Sequence, residues 1–279
     1  MKVLVTTPNG KVGQEVVKLL RAGGVPVRVG SHTVERGEEA FPGADVRAVD
    51  YEDPATFGPA LEGVTAVYLA SPATSEPDPE RALVDAAKAS GVRRVVKLSM
   101  FGAQVAGDDL PMRAVEKHLE ASGLAWTFLR PTWFMQNFST LHVPSICSGT
   151  LLEPAGLARR AYVDARDVAA VAVKALVEPG HEGRAYPLTG PELLDRHQVA
   201  EKIGAAIGRP VRYRSCSDAE FHQLMKPYLP ESYIELWLAL YADLREHRDG
   251  RITDEVRRLL GRPPASFDQF ARDFRDAWG

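Results

Sequence analysis

Short apolar runs alternate with stretches of helical periodicity through the first half of the chain. Val3–Val5 is an apolar triplet of the buried-strand kind, and Val12, Val16, Val17 and Leu20 then fall near helical spacing. That spacing predicts a helix from about Lys11 to Arg21, which Gly23-Gly24 stops. Val25, Val27 and Val29 alternate as a second strand, Val46–Val49 reads as a third and Val64–Ala70 as a fourth. A helix over Pro79–Ser90 leads into a fifth strand, Arg94–Ser99. A helix over Leu110–Ser122, stopped by Gly123, leads into a sixth, Ala125–Leu129. Six short strands joined by helical or long crossovers imply a parallel sheet covered on both faces. Right-handed crossovers make it an α/β fold with a Rossmann-type, doubly wound sheet.

After about Asn137 the rhythm changes. Asp167 has the position of an N-cap for a helix through Val177, and Asp195 with Gln198 reads as a capping box. Ser217 with Glu220 and Ser266 with Gln269 repeat that signature. Short strands are expected near Ala185–Leu188 and Val211–Tyr213, within a part that is otherwise mainly helical. The expected organisation is a dinucleotide-type domain over 1–140 and a smaller, mainly helical C-terminal substrate lobe over 141–279. No linker-like stretch divides the two.

Composition changes this picture little. The 279 residues carry 34 Lys+Arg against 37 Asp+Glu, a formal net charge of −3 that argues against a nucleic-acid partner. Cys147 and Cys216 are too few for a disulfide framework or a zinc site. No apolar run approaches the roughly 20 residues of a membrane span or the 7–15 of a secretory signal. The expectation is a cytoplasmic protein with no membrane, nucleic-acid or metal partner, its oligomeric state unassigned. Zinc-protease, Cys-x-x-Cys and Gly-x-Ser-x-Gly signatures are missing. Arg93-Arg94, Arg159-Arg160 and Arg257-Arg258 read as solvated pairs.

The strongest chemical signal is Val5-Thr-Thr-Pro-Asn-Gly-Lys-Val-Gly13, between the first strand and the first helix. Free backbone N–H groups and the positive end of a helix at such a junction suit a dinucleotide pyrophosphate. Gly10 and Gly13 stand where the backbone must come close, and Thr7 replaces an earlier glycine. At the end of the second strand no acid awaits a ribose hydroxyl. Ser31, His32 and Arg36 instead offer donors to an extra phosphate, with Arg28 a further local cation. NADP(H) is therefore preferred, while NAD(H) stays open. Trp133, Phe134, Met135 and Phe138 follow the sixth strand, where a sheet's carboxyl ends meet their ligand. With Phe101, Met225, Tyr228, Trp237 and Tyr241 they are candidates for an apolar box around a flat aromatic or conjugated substrate, plain core packing being the competing reading. Asp164 and Asp167 read as helix-start caps, and His118 and His142 as ordinary lone histidines rather than acids.

The chain resembles the NmrA-like branch of the atypical short-chain dehydrogenase/reductases. The resemblance rests on the Val5–Gly13 loop, Gly91–Ala103, Glu116–Asn137, Tyr162–Leu176 and His181–Glu192, strings that span nearly the whole chain. It implies an interwoven architecture in which segments about 160–190 return to the first domain. It also implies NADP(H) across the strand ends. Thr7, Asn9, Gly10, Lys11 and Val12 would hold the pyrophosphate, Ser31 and His32 the adenosine phosphate, and Asp50 and Tyr51 would lie near the adenine. Ala70, Ser71 and Pro72 would line the ribose, with Ser99, Met100, Pro131 and Thr132 approaching the nicotinamide. Ser99 is the candidate catalytic hydroxyl. The family often has Arg where this chain has His32.

The Tyr-x-x-x-Lys pair of ordinary short-chain dehydrogenases is absent, since no tyrosine is followed four residues later by lysine. Met112 occupies the place where isoflavone-type relatives carry a catalytic lysine. A hydride still adds readily to an acceptor that is already positive or strongly polarised, such as a quinone or iminium ion. The expected activity is NAD(P)H-dependent reduction of such a molecule. The alternatives are a non-redox biosynthetic cyclisation or rearrangement on the same fold, and a non-catalytic NADP(H) redox sensor.

Overall fold

The computed structural model describes residues 1–71, 76–105, 110–246 and 250–279. In chain order the first elements are β1 (Val3–Thr6), α1 (Gly13–Ala22), β2 (Val27–Ser31), α2 (Val34–Ala40), β3 (Asp45–Ala48), α3 (Phe57–Leu61) and β4 (Ala66–Leu69). Then come α4 (Pro77–Ala89), β5 (Arg94–Leu98), α5 (Pro111–Ala121), β6 (Ala125–Pro131), α6 (Val143–Cys147) and β7 (Thr150–Glu153). The remainder is α7 (Ala165–Val177), β8 (Arg184–Leu188), α8 (Arg196–Ile207), β9 (Arg212–Ser215), α9 (Asp218–Met225), α10 (Glu231–Glu246), α11 (Glu255–Leu260) and α12 (Phe267–Asp273).

Contacts divide the chain into two units. The first is Met1–Pro131 with Ala165–Leu188. Its seven strands are ordered β3-β2-β1-β4-β5-β6-β8 and all run parallel. Every residue of β1 and β4 is buried, as strands covered on both faces must be. Helices α1 and α7 pack together on one face, and α3, α4 and α5 cover the other over Phe57, Leu83, Val95, Leu119 and Phe128. Strand order reverses between β1 and β4, so the crevice of a doubly wound sheet opens there.

The second unit is Thr132–Asp164 with Thr189–Gly279. It is mainly helical around a parallel two-stranded ribbon, β7-β9, with one cluster over Phe138, Tyr162, Phe267 and Trp278 and another over Phe221, Met225, Ile234 and Tyr241. Among the described residues, no helix is long and apolar enough to cross a membrane.

Several local expectations change. Asp167 does not cap α7: it lies inside the first turn, buried, while buried Asp164 precedes the helix and accepts from Gln136 Nε2 at 2.8 Å. Ser266 accepts from the Gln269 N–H, which makes it a one-way cap, whereas Asp195–Gln198 and Ser217–Glu220 are full boxes. Arg94 is not solvated. Its guanidinium donates to the carbonyls of Ala175 and Leu176 at the end of α7, at 2.9 and 3.2 Å, where a cation also suits the helix dipole.

Candidate functional site

The β1–α1 turn is built around Thr7, whose φ is +48°, the left-handed region that side chains rarely adopt. Its carbonyl accepts the Gly10 N–H at 3.0 Å and lies 2.3 Å from where a Cβ on Gly13 would stand. Glycine at position 13 is thus a packing requirement between turn and helix start. No side chain caps the N-terminus of α1, although the Gln14 N–H already donates to Gly10 O at 3.1 Å. Lys11 stands beside this helix start, its ammonium pushed below the usual lysine range by burial.

Hydroxyls stitch this turn to the end of β4 across the reversal point. Thr6, Thr7 and Tyr51 all approach the Ala70 carbonyl, at 2.7, 2.7 and 2.6 Å. A carbonyl has two lone pairs, and Thr6 has a second acceptor in Tyr68 O at 3.2 Å. Thr7 and Tyr51 therefore hold Ala70, and Thr6 accepts the Ala70 N–H at 2.9 Å. Burial raises the Tyr51 phenol well above its ordinary value. The Thr7 and Tyr51 hydroxyls thus fix the walls of the crevice, with main-chain groups left to meet a phosphate. Asn9, Gly10, Lys11 and Val12 follow in the same turn, Ser71 follows Ala70, and Pro72 lies outside the described residues.

At the ends of β2 and β3, Ser31 is buried and packs against α2 at Gly37, where a Cβ would come within 2.9 Å of the Ser31 Cβ. His32 is exposed, with Nδ1 3.3 Å from Asp50 Oδ1. Arg36 sits in the first turn of α2, its main-chain N–H accepted by Thr33 and its side chain exposed. Arg28 is corrected: it is buried, ion-paired to Asp45 and donating to the carbonyls of Ala60 and Glu62 at 3.0 and 2.8 Å. It is a structural cation whose guanidinium is already committed to Asp45 and two carbonyls rather than to a cofactor phosphate.

Past β5, Ser99 N–H donates to Leu129 O and Phe101 N–H to Pro131 O, so residues 99–101 continue the parallel ladder with β6 and present Met100 half-buried. Ser99 Oγ is buried and makes no well-formed hydrogen bond to the protein. Beside it, fully buried Glu116 of α5 takes both prongs of Arg130 at 2.9 and 2.8 Å, and Arg113 at 3.0 Å. Burial alone would raise the Glu116 carboxyl, but Arg130 and Arg113 hold it below the usual range. Arg130 also reaches Gln104 Oε1 at 3.1 Å, tying the 99–104 segment to the pair. Lys97 was not anticipated. It is fully buried, bonded to both oxygens of Glu80 at 2.9 Å, with its Nζ 3.8 Å from Met112 Sδ. A lysine inside the apolar run Arg94–Ser99 was the available signal. Met112 thus has a lysine as its neighbour across on β5, already committed to a carboxylate.

In the second unit, Trp133 packs edge-on to Trp237 at 5.6 Å and against Tyr241 at 5.3 Å, so this part of the expected box assembles. Phe134 follows, half-buried, and its backbone bridges to Val163. Met135 and Phe138 are fully buried in one core cluster and Met225 in the other, while Tyr228 is 63% exposed; none of the four lines an open box. The box is also not apolar. Fully buried Arg196 places its guanidinium carbon 5.3, 5.5 and 5.0 Å from the rings of Trp133, Phe138 and Tyr162. Its Nε pairs with buried Glu153, which also meets His142 Nε2 at 3.2 Å, and Tyr241 Oη lies 3.5 Å from that same nitrogen. Burial would raise Glu153, but Arg196 and His142 keep its carboxyl low. His118, by contrast, forms a surface pair with Asp85 at 2.7 Å. Among the described residues no cluster could hold a metal ion.

The close-packed glycines, the uncapped helix start and the reversal point fit a dinucleotide. Comparisons with known proteins agree with that geometry. A model of a family described as NAD(P)H-binding matches residues 8–179. An NAD(P)H azoreductase of Xenophilus azovorans is 35% identical over 99% of both chains. A (4-alkanoyl-5-oxo-2,5-dihydrofuran-3-yl)methyl phosphate reductase of Streptomyces griseus is 37% identical, again over 99% of each. Among solved structures, an NADPH-dependent quinone oxidoreductase of Escherichia coli superposes with a TM-score of 0.83 at 26% identity, covering 97% of this chain and 98% of the other.

Proposed function

The chain belongs to the NAD(P)H-binding family, and from that premise we propose that it is an NADPH-dependent reductase of flat, conjugated small molecules, of the NmrA-like kind that its motifs resemble. What carries the reading is end-to-end similarity to reductases, joined to a phosphate turn that accepts no Cβ at Gly13. When bound, NADPH would supply the hydride. The α1 N-terminus and the Asn9–Val12 turn bind the pyrophosphate, and the Ala70 clasp keeps the crevice open at a fixed width. Ser31, His32 and Arg36 take the adenosine phosphate.

Ser99 donates its uncommitted hydroxyl to the acceptor's oxygen or nitrogen, while the Glu116–Arg130 pair fixes the segment that presents it. Tyr51, Tyr68 and Tyr241 are all pushed above the ordinary phenol range by burial, which makes them poor acids at neutral pH. No strong protein acid is therefore assigned to the reaction. The favoured acceptors are electron-poor enough to take the hydride without a protein acid: quinones and azo dyes then draw a proton from water, and an iminium ion needs none. Purified protein with NADPH and such a panel should show acceptor-dependent loss of the reduced-nicotinamide absorbance, and an unactivated ketone should not. Tight NADPH binding without turnover of any member overturns the reductase reading and favours a cofactor sensor.

A further inference from the structure

His32 and Asp50 form an ion pair in a place where charge has a second meaning. The 2′-phosphate is what distinguishes NADP(H) from NAD(H), and it is read at the end of the second strand. There this chain places an imidazole, one residue past buried Ser31, with its Nδ1 3.3 Å from an Asp50 carboxylate oxygen. The His32 side chain is 59% exposed and the Asp50 side chain 24%, so both are open to a ligand. Asp50 is held in place from below: its Oδ1 accepts the Glu52 N–H at 2.9 Å, and its own N–H donates to Thr56. The other charged groups on the bordering elements are Glu35, Arg36, Glu38 and Glu39 of α2, Glu52 and Asp53 after β3, Lys11 of the phosphate turn, and the mutually paired Arg28, Asp45 and Arg47 of β2 and β3. None of these is paired with His32.

We propose that this pair makes the choice between NADP(H) and NAD(H) depend on pH. Imidazole changes charge between about pH 5 and 8. Protonated, His32 cancels Asp50 and donates to the 2′-phosphate, adding to the permanent charge of Arg36. Neutral, it leaves Asp50 facing a phosphate that carries about −1.5 to −2, and the two repel. The same released carboxylate, though it follows β3 and not β2, is then free to accept from the 2′-hydroxyl of NAD(H). An arginine here would hold the phosphate at every pH, so the histidine brings a dependence that arginine lacks. This inference rests on the cofactor reading above.

The test is calorimetric binding of NADPH, NADH and 2′,5′-ADP at about pH 8.5 and about pH 6.5, with His32→Gln as the control for the phosphate's own titration near pH 6. The NADPH-to-NADH affinity ratio of the wild type should rise about fivefold on going to the lower pH. His32→Arg should give a high ratio and His32→Gln a low one, each constant within about twofold across the window. Asp50→Asn should raise the ratio at the higher pH. Both side chains are exposed enough for these variants to fold, which melting curves confirm. A wild-type ratio as flat as that of His32→Gln overturns the inference while leaving the cofactor reading intact. Failure of all three ligands to bind at either pH overturns both.

Discussion

The phosphate turn shows how much one residue settles. Glycine at position 13 is demanded by a main-chain oxygen, Thr7 O, that would stand 2.3 Å from any Cβ there, and main chain cannot rotate away as a side chain can. Gly13→Ala should destabilise the protein by about 1–3 kcal/mol, the usual cost of overpacking. It should also weaken NADPH binding by roughly tenfold or more, since about 1.4 kcal/mol of strain in the bound turn suffices. Denaturant titration and cofactor binding check the two halves. The glycine itself was legible in the sequence from its place at a strand–helix junction. The reason Thr7 is tolerated was not. Its left-handed φ is offset by a hydroxyl bond to Ala70, sixty-three residues away, and no local pattern announces that partner.

Among the elements, α4 and β5 are joined by the buried Lys97–Glu80 pair. Removing one member of such a pair leaves a charge without compensation in the interior, at a cost of about 3–5 kcal/mol, whereas replacing both by apolar groups is often neutral or better. Lys97→Met should therefore be strongly destabilising, and Lys97→Met with Glu80→Leu should recover most of the loss in urea unfolding. Equal losses in the single and double variants would show that the pair carries more than charge balance. The strand was predicted from its valines and the helix from its periodicity. The pairing between them was invisible, because it depends on which helix crosses which strand. The same limit applies to Arg94, read as solvated because it stands beside Arg93 but enlisted to cap α7 some eighty residues on.

Across the whole molecule, two buried carboxylates set the acid limit of stability. Glu116 and Glu153 are both held below the ordinary glutamate value, so in the folded state each stays ionised at a pH where the unfolded chain already binds protons. Their contribution is present above the unfolded value, about 4.3, and is lost as the pH falls through the lower folded values. Stability should fall gently below about pH 6.5, where the unfolded chain protonates the imidazole that burial keeps neutral at His181, and steeply below about pH 4. Glu116→Gln should be less stable at neutral pH with a shallower acid slope, as read by melting temperature against pH.

What the sequence determined by itself is the alternation of strand and helix in the first half, the phosphate turn and the absence of a Tyr-x-x-x-Lys donor. Periodicity, glycine placement and motif spacing are local properties that survive in one dimension. The tertiary structure decided that Arg28 turns inward, that Met135, Phe138 and Met225 are core, and that the aromatic box has a buried arginine beneath it. Those outcomes turn on which distant groups share an interior where an unpaired charge is too costly to leave, and only the folded chain brings such groups together.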